Sequence, residues 1–211
     1  MKVCEIFYSL QGEGPNVGYP AVFVRLAGCN VRCEMCDSKY SWEEGKDMSV
    51  DAVVKEITKY KAMMIAPGLV ITGGEPLIQQ DEVIELCRRM NGVARFINIE
   101  TNGTIPVSDE LVKYAKIIIS PKIGNLGIEV GIHPKNIRND VYYKFVVKNI
   151  SDVDKITEKY YMLPQDKIYI MPEGTVSNSQ LYEKLWHICK QYGWILSPRL
   201  HILVWGNVRG V

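Results

Sequence analysis

Apolar and polar positions along the chain follow two periods in turn. The run Ala21–Val22–Phe23–Val24–Arg25–Leu26 is apolar but for one arginine and predicts a strand. Val53, Val54, Ile57 and Tyr60 then recur at helical spacing, and Gly68–Thr72 predicts a short strand. Val83, Ile84, Cys87 and Met90 mark a second helix, closed by Asn91–Gly92. The strand Ala94–Ile99, a short helix near Asp109–Tyr114 and the strand Lys116–Ser120 follow. Gly124 to Asn139 has no clear period and predicts a loop. Tyr143–Val147 and Ile168–Ile170 read as strands around the helical stripe Val153, Ile156 and Tyr160. The longest helix falls near Asn178–Gln191, and the apolar run Leu200–Trp205 predicts a last strand.

Strands alternating with helices imply parallel pairing through βα units. Short, mostly apolar strands are expected where both faces are covered. The pattern predicts an α/β fold: a partial, open βα barrel of about six mostly parallel strands, with an open doubly wound sheet as the alternative. No repeat, linker or low-complexity tract divides the chain, so residues 1–211 read as a single domain.

Four polar or glycine-bearing segments follow predicted strands. They are Thr72–Gly73–Gly74–Glu75–Pro76, Glu100–Thr101–Asn102–Gly103, Ser120–Pro121–Lys122 and Met171–Pro172–Glu173–Gly174. In a parallel βα architecture all of them lie at the carboxyl ends of the strands, where such folds place their ligand sites.

Composition narrows the class. Hydrophobic residues make up 47% and charged residues 23% of the 211, as in ordinary globular domains. A formal net charge of +1 gives no electrostatic case for nucleic acid or a membrane surface. No apolar run approaches the ~20 residues of a membrane span, and Lys2 and Glu5 interrupt any signal-like start. A cytoplasmic location with reduced thiols is expected. Of the 6 cysteines, Cys4, Cys87 and Cys189 stand alone in apolar surroundings and read as small buried hydrophobes.

The other three form the Cys-x3-Cys-x2-Cys spacing of Cys29, Cys33 and Cys36. Thiolates are soft ligands for zinc or iron–sulfur clusters. A structural zinc site takes four ligands, and an electron-transfer cluster normally has four cysteines. Here no fourth cysteine or histidine is near; with Cys87 read as a core residue, the closest downstream candidate is His133. A cluster on three thiolates leaves one iron open for a small molecule. A zinc site completed from afar is the competing reading.

With Gly73–Gly74–Glu75–Pro76 in the next βα unit, the cysteine loop resembles the radical S-adenosylmethionine (SAM) superfamily. The opening Glu5–Ile6–Phe7–Tyr8–Ser9–Leu10–Gln11–Gly12–Glu13–Gly14 narrows the resemblance. So do Phe23–Cys29, the segment Ser197–Ile202 and the terminal Arg209–Gly210–Val211. Nearly end to end, the chain is similar to the 7-carboxy-7-deazaguanine synthase family of the queuosine and deazapurine pathway. The resemblance implies a 4Fe–4S cluster, SAM and Mg2+ as cofactors. It implies ring contraction of 6-carboxy-5,6,7,8-tetrahydropterin to 7-carboxy-7-deazaguanine with loss of ammonia. A 5′-deoxyadenosyl radical would take hydrogen from pterin carbon 6, and SAM would be regenerated.

The resemblance also assigns residues. Met35, Asp37, Gly74, Glu75, Asn102, Ser120, Pro121, Lys122, Met171, Pro172, Glu173 and Gly174 fall to SAM, and Ser38 to magnesium, where the family usually carries Thr. Leu10, Gln11, Gly12, Glu13, Arg25, Thr72, His201 and the terminal Val211 fall to substrate. By themselves several have simpler readings. Arg25 could make a structural ion pair, Asp37–Ser38 a helix cap, Asn102–Gly103 a turn, Lys122 a surface charge and His201 a core contact. Related enzymes are dimers and need a reductant such as flavodoxin or ferredoxin, so a homodimer is expected. A glycyl-radical activating enzyme is the nearest alternative; it would act on a protein loop and need no Gln11–Gly12–Glu13 segment. A metal-binding or electron-transfer module is the non-enzymatic one.

Overall fold

The computed structural model describes residues 1–62, 66–174 and 179–211. It opens with β1 (Lys2–Leu10) and β2 (Pro20–Leu26), an antiparallel pair, and with β3 (Lys46–Asp47) on the far edge of β1. Next, α1 (Val50–Thr58) starts at Ser49, whose hydroxyl accepts the Ala52 amide at 3.2 Å. Four further elements alternate: β4 (Gly68–Gly73), α2 (Gln80–Met90), β5 (Ile97–Thr101) and α3 (Leu111–Tyr114). They lead to β6 (Lys116–Ile119) and a small separate ladder, β7 (Lys122–Ile123) with β8 (Glu129–Val130). The rest is β9 (Tyr142–Val147), α4 (Ser151–Tyr160), β10 (Ile168–Pro172), α5 (Ser179–Tyr192), β11 (Ile195–Leu196) and α6 (Leu200–Trp205).

Among the described residues nine strands form one sheet in the order β11-β10-β9-β6-β5-β4-β2-β1-β3. From β2 to β11 every pairing is parallel. The sheet is not closed into a barrel, and β1 and β3 extend it beyond the expected half-dozen strands.

The strand period of two decides what each face does. Val22, Val24, Leu26, Leu69, Ile71, Ile97, Ile99, Tyr143, Phe145 and Val147 belong to the buried core, with helix residues such as Val53, Leu86, Ile156 and Leu185. Burial of each such side chain stabilises by about 1.5–3 kcal/mol. The intervening Phe23, Arg25, Val70, Thr72, Glu100, Lys144 and Val146 face a cavity on the opposite side. One face therefore holds the fold together, and the other is free to carry charge.

Several sequence expectations need correcting. Leu200–Trp205 is helix, not strand. An apolar run of that length fits either period; here Leu203, Val204 and Trp205 are exposed, with no sheet beside them. The sheet edge is instead the short β11. β5 begins later than Ala94, because a turn in which the Val93 and Ala94 amides donate to the Met90 carbonyl occupies the intervening residues. Cys87 and Cys189 are buried, but Cys4 is only half-buried, because β1 lies near the edge with solvent within reach. The expected start of the long helix, Asn178, lies outside the described residues.

Two glycines join the sheet to the cysteine loop. Gly73 has φ +144°, and a Cβ there would sit 2.1 Å from the Leu26 carbonyl oxygen. At Gly74 it would sit 2.0 Å from the Gly28 oxygen. This closeness lets the Gly74 and Glu75 amides donate to Leu26 and Gly28 at 3.1 and 2.8 Å. Gly74→Ala is expected to cost about 1–3 kcal/mol in anaerobic urea unfolding. Gly131→Ala, where a Cβ meets nothing within 4 Å, should stay within about 0.5 kcal/mol. Equal stabilities would contradict the close approach.

Candidate functional site

The cavity on the polar face of the sheet has a volume of about 950 Å³, at the upper end for ligand pockets. All the sequence-predicted site residues line it except Glu75, Pro121 and Pro172. The four segments after β4, β5, β6 and β10 thus reach one space, as their place at the strand ends requires.

Cys29, Cys33 and Cys36 sit on the loop after β2, at the same cavity. Gly28, with φ +95°, turns the chain out of the strand, and its amide donates to the Ser41 carbonyl at 2.9 Å. The Cys36 amide donates to the Cys33 carbonyl at 3.2 Å, and Met35 is tied to Leu126 at 3.3 Å. Burial pushes the Cys33 and Cys36 thiols up, with Lys122 pulling Cys33 the other way; ligation removes such protons. Among the described residues no three His, Cys, Asp or Glu side chains converge tightly enough for a single ion. The three cysteines line one cavity instead, a soft donor set that fits an iron–sulfur cluster.

Glu75 is fully buried and works from behind the wall. Its carboxylate accepts hydrogen bonds from the Leu77 amide at 3.0 Å, Thr101 Oγ1 at 2.7 Å and the Asn102 amide at 2.7 Å. It fixes the loop after β5 to the glycine turn after β4. Asn102 lines the cavity, and its Nδ2 donates to Asn30 of the cysteine loop at 3.0 Å. Asn102 is therefore more than a turn residue. Lys122 reaches Ser120 Oγ at 3.2 Å, and burial lowers its pKa.

The same cavity holds a charge cluster. Lys144 Nζ lies 2.7 Å from Glu13 Oε2 and 2.8 Å from Glu100 Oε2, and its side chain is 6% exposed. Arg199 pairs with Glu13 at 3.2 Å and Asp37 at 2.7 Å, and donates to the Gly174 carbonyl at 2.9 Å. Gln11 bridges Glu100 at 3.5 Å and the Glu13 amide at 3.4 Å. Burial alone would raise Glu13, but the charges of Lys144 and Arg199 overcome it and hold the carboxyl at about 2. Glu100 goes the other way, raised by burial beside Glu13 despite Lys144. His201 Nε2 stands 3.8 Å from Glu13 Oε1, and burial lowers its pKa despite that carboxylate. Gly12 makes this possible: a Cβ there would fall 2.1 Å from His201 Nδ1.

Arg25 makes the ion pair that was its simpler reading, with Nε 2.7 Å from Glu5 Oε1. It also faces the cavity, with Nη1 3.4 Å from Ser38 Oγ and its guanidinium between the rings of Phe7 and Tyr40. Ser38 precedes a short 3-10 helix (Lys39–Trp42) but makes no capping bond, leaving its hydroxyl on Asp37 Oδ1 at 2.9 Å. Val211 ends in the cavity wall, where its carbonyl oxygen accepts from Ser9 Oγ.

Sequence reasoning gave no role to Lys144, and named Glu100 and Arg199 only as members of segments, without a role of their own. The signal for Lys144 was present: a lone charge in the apolar run Tyr142–Val147, the feature that singled out Arg25. Replacing Lys144 with Met leaves Glu100 without its cation and Glu13 with Arg199 alone, expected to cost about 3–5 kcal/mol at neutral pH. Glu100, already raised by burial beside Glu13, then loses the charge that lowers it, so its folded pKa lies above the unfolded one and the folded state binds more protons there. The variant should accordingly gain stability as pH falls from 7 toward 5, measured by urea unfolding. A pH profile parallel to the parent's would contradict the pairing.

The sequence profile of the Radical SAM superfamily matches residues 24–170. Over its whole length the chain is 38% identical to the 7-carboxy-7-deazaguanine synthase of Pyrobaculum aerophilum, covering 97% of that protein. It is 34% identical to the enzyme of that name from Hyperthermus butylicus, over 97% of this chain and 92% of the relative. The crystal structure of QueE from Escherichia coli superposes with a TM-score of 0.77 at 25% identity, over 95% of this chain and 94% of that one. With its glycine-turned cysteine loop and open parallel sheet, the chain belongs to the radical SAM superfamily and, within it, to the 7-carboxy-7-deazaguanine synthase family.

Proposed function

We propose that this chain is a radical SAM lyase that converts 6-carboxy-5,6,7,8-tetrahydropterin to 7-carboxy-7-deazaguanine with loss of ammonia. The observation that carries the reading is convergence on one cavity. Gln11–Gly12–Glu13, Arg25, His201 and Val211 line the same space as Cys29, Cys33 and Cys36. Its volume suits two small molecules side by side.

Cys29, Cys33 and Cys36 would hold a 4Fe–4S cluster, which together with SAM would supply the radical chemistry that begins the reaction. The protein's part is to bind, orient and exclude water. The Gly74 backbone, Asn102, Ser120, Lys122 and the segment Met171–Gly174 hold SAM beside the cysteine loop. Met35 and Asp37 flank it, while Glu75, Pro121 and Pro172 shape the turns from behind. Arg25 offers a planar fork to the substrate carboxylate. Gln11, Glu13 and neutral His201 meet the donor and acceptor edge of the pterin, with Leu10, Gly12 and Thr72 in the wall. Val211, in the same cavity wall, meets the substrate beside them. Ser38, with Asp37 beside it, can offer oxygen to a Mg2+ that keeps waters and substrate atoms as its other ligands.

No helix among the described residues is long and apolar enough to cross a membrane. The proposed setting is the cytoplasm, with residues 1–211 as one domain in a homodimer and an electron carrier of the flavodoxin or ferredoxin type as reductant.

Anaerobic incubation of the reconstituted protein with SAM, reductant and the pterin acid, followed by mass analysis, tests the reading. Deazaguanine product is expected from the parent and from Cys87→Ala. Cys33→Ala should lose both iron and SAM cleavage. Reductive SAM cleavage with the pterin acid unchanged would defeat the substrate assignment and favour a protein substrate.

A further inference from the structure

The β7–β8 hairpin stands outside the main sheet, and its turn lies against the cysteine loop. The Met35 amide donates to the Leu126 carbonyl at 3.3 Å. Gly127 has φ +81°, and a Cβ there would sit 2.6 Å from Glu34 Cβ. Only glycine permits so close an approach in that conformation. Both contacts fall between Cys33 and Cys36. Leu126 is buried and lines the cavity with the three cysteines, of which Cys33 is the buried one.

A ladder of two residue pairs, Lys122 with Val130 and Ile123 with Glu129, is too short to hold its place alone. The seat comes from Asn125. Its Nδ2 donates to the Val146 carbonyl of β9 at 2.8 Å and to Asp152 Oδ2 at 2.9 Å. Asp152, in the first turn of α4, is 2% exposed. The same Oδ2 accepts the Lys148 amide at 2.8 Å, while Lys155 lies 3.5 Å from Oδ1. Glu129 and Lys159 add an ion pair between hairpin and α4, but both are exposed, so it contributes little. The hydrogen bonds to the buried carboxylate are the stronger tie. A line of contacts thus runs from α4 through Asp152 and Asn125 to the turn, and from the turn to the segment that carries Cys33 and Cys36.

We propose that Asn125 and Asp152 are positioning residues that seat the β7–β8 hairpin on Glu34–Met35, holding the cysteine loop in shape and keeping solvent from Cys33. For what the cysteines hold, the inference rests on the radical SAM reading above. The seating itself stands apart from that reading.

Two readouts separate them: maleimide labelling of the full-length apoprotein, mapped to each cysteine by peptide mass, and iron release to a chelator after anaerobic reconstitution. In Asn125→Ala and Asp152→Ala, Cys33 should label roughly ten-fold faster than in the parent, by local opening alone. Cys189, buried on α5, should label at the parent's rate. Asp152→Asn, which keeps an acceptor oxygen for Asn125 and Lys148, should leave Cys33 within about two-fold of the parent. Iron should leave the two alanine variants roughly ten-fold faster. Parent-like labelling of Cys33 in Asn125→Ala would overturn the proposal. So would Cys33 and Cys189 quickening together, which marks general loosening, or Asp152→Asn labelling as fast as Asp152→Ala. Faster labelling with unchanged iron release would overturn it too, because the seat would then shield nothing the cysteines hold. If the parent takes up no iron, the cluster reading has failed; the labelling rates still decide the seating.

Discussion

The site is organised around one buried ammonium. Lys144 projects from β9 into the cavity between a carboxylate on β5 and another on the loop after β1. Each charge buried alone would cost several kcal/mol, so the arrangement persists only because every member is paired. Glu13 carries the most partners. It takes Lys144 on one oxygen and Arg199 on the other, with His201 alongside. Arg199 passes the connection on to Asp37 of the cysteine loop and to Gly174 after β10. Segments far apart in the chain are thereby fixed around one volume.

Strand alternation explains why such a cluster can exist without dissolving the fold. The core-facing Val22, Val24, Leu26, Leu69, Ile71, Ile97, Ile99, Phe145 and Val147 are apolar, and their burial supplies the stability. The residues between them face the cavity and are free to be Arg25, Thr72, Glu100 and Lys144. The glycines after β4 then draw the sheet against the cysteine loop, so the cysteines and the charge cluster share one cavity.

Much of this was legible in the sequence where information is local. The apolar strands, the helical stripes of α2 and α4, the cysteine spacing and the Gly73–Gly74 turn all depend on neighbours within a few residues. β1 was missed because most of its residues are half-buried on both faces, which blurs the alternation. Leu200–Trp205 was misread because six apolar residues carry no decisive period. The Lys144–Glu13 and Arg199–Glu13 pairs join residues 131 and 186 positions apart. No local pattern encodes such partners; only the topology brings them together.

The central claim, that Glu13 and Lys144 act as one pinned unit, is tested most directly by a double-mutant cycle. Urea unfolding of the parent, Glu13→Gln, Lys144→Met and the double variant at neutral pH gives the coupling energy. A coupling of about 2–3 kcal/mol is predicted, with the double variant more stable than the two single losses combined would allow. Additive losses, within about 0.5 kcal/mol, would contradict it.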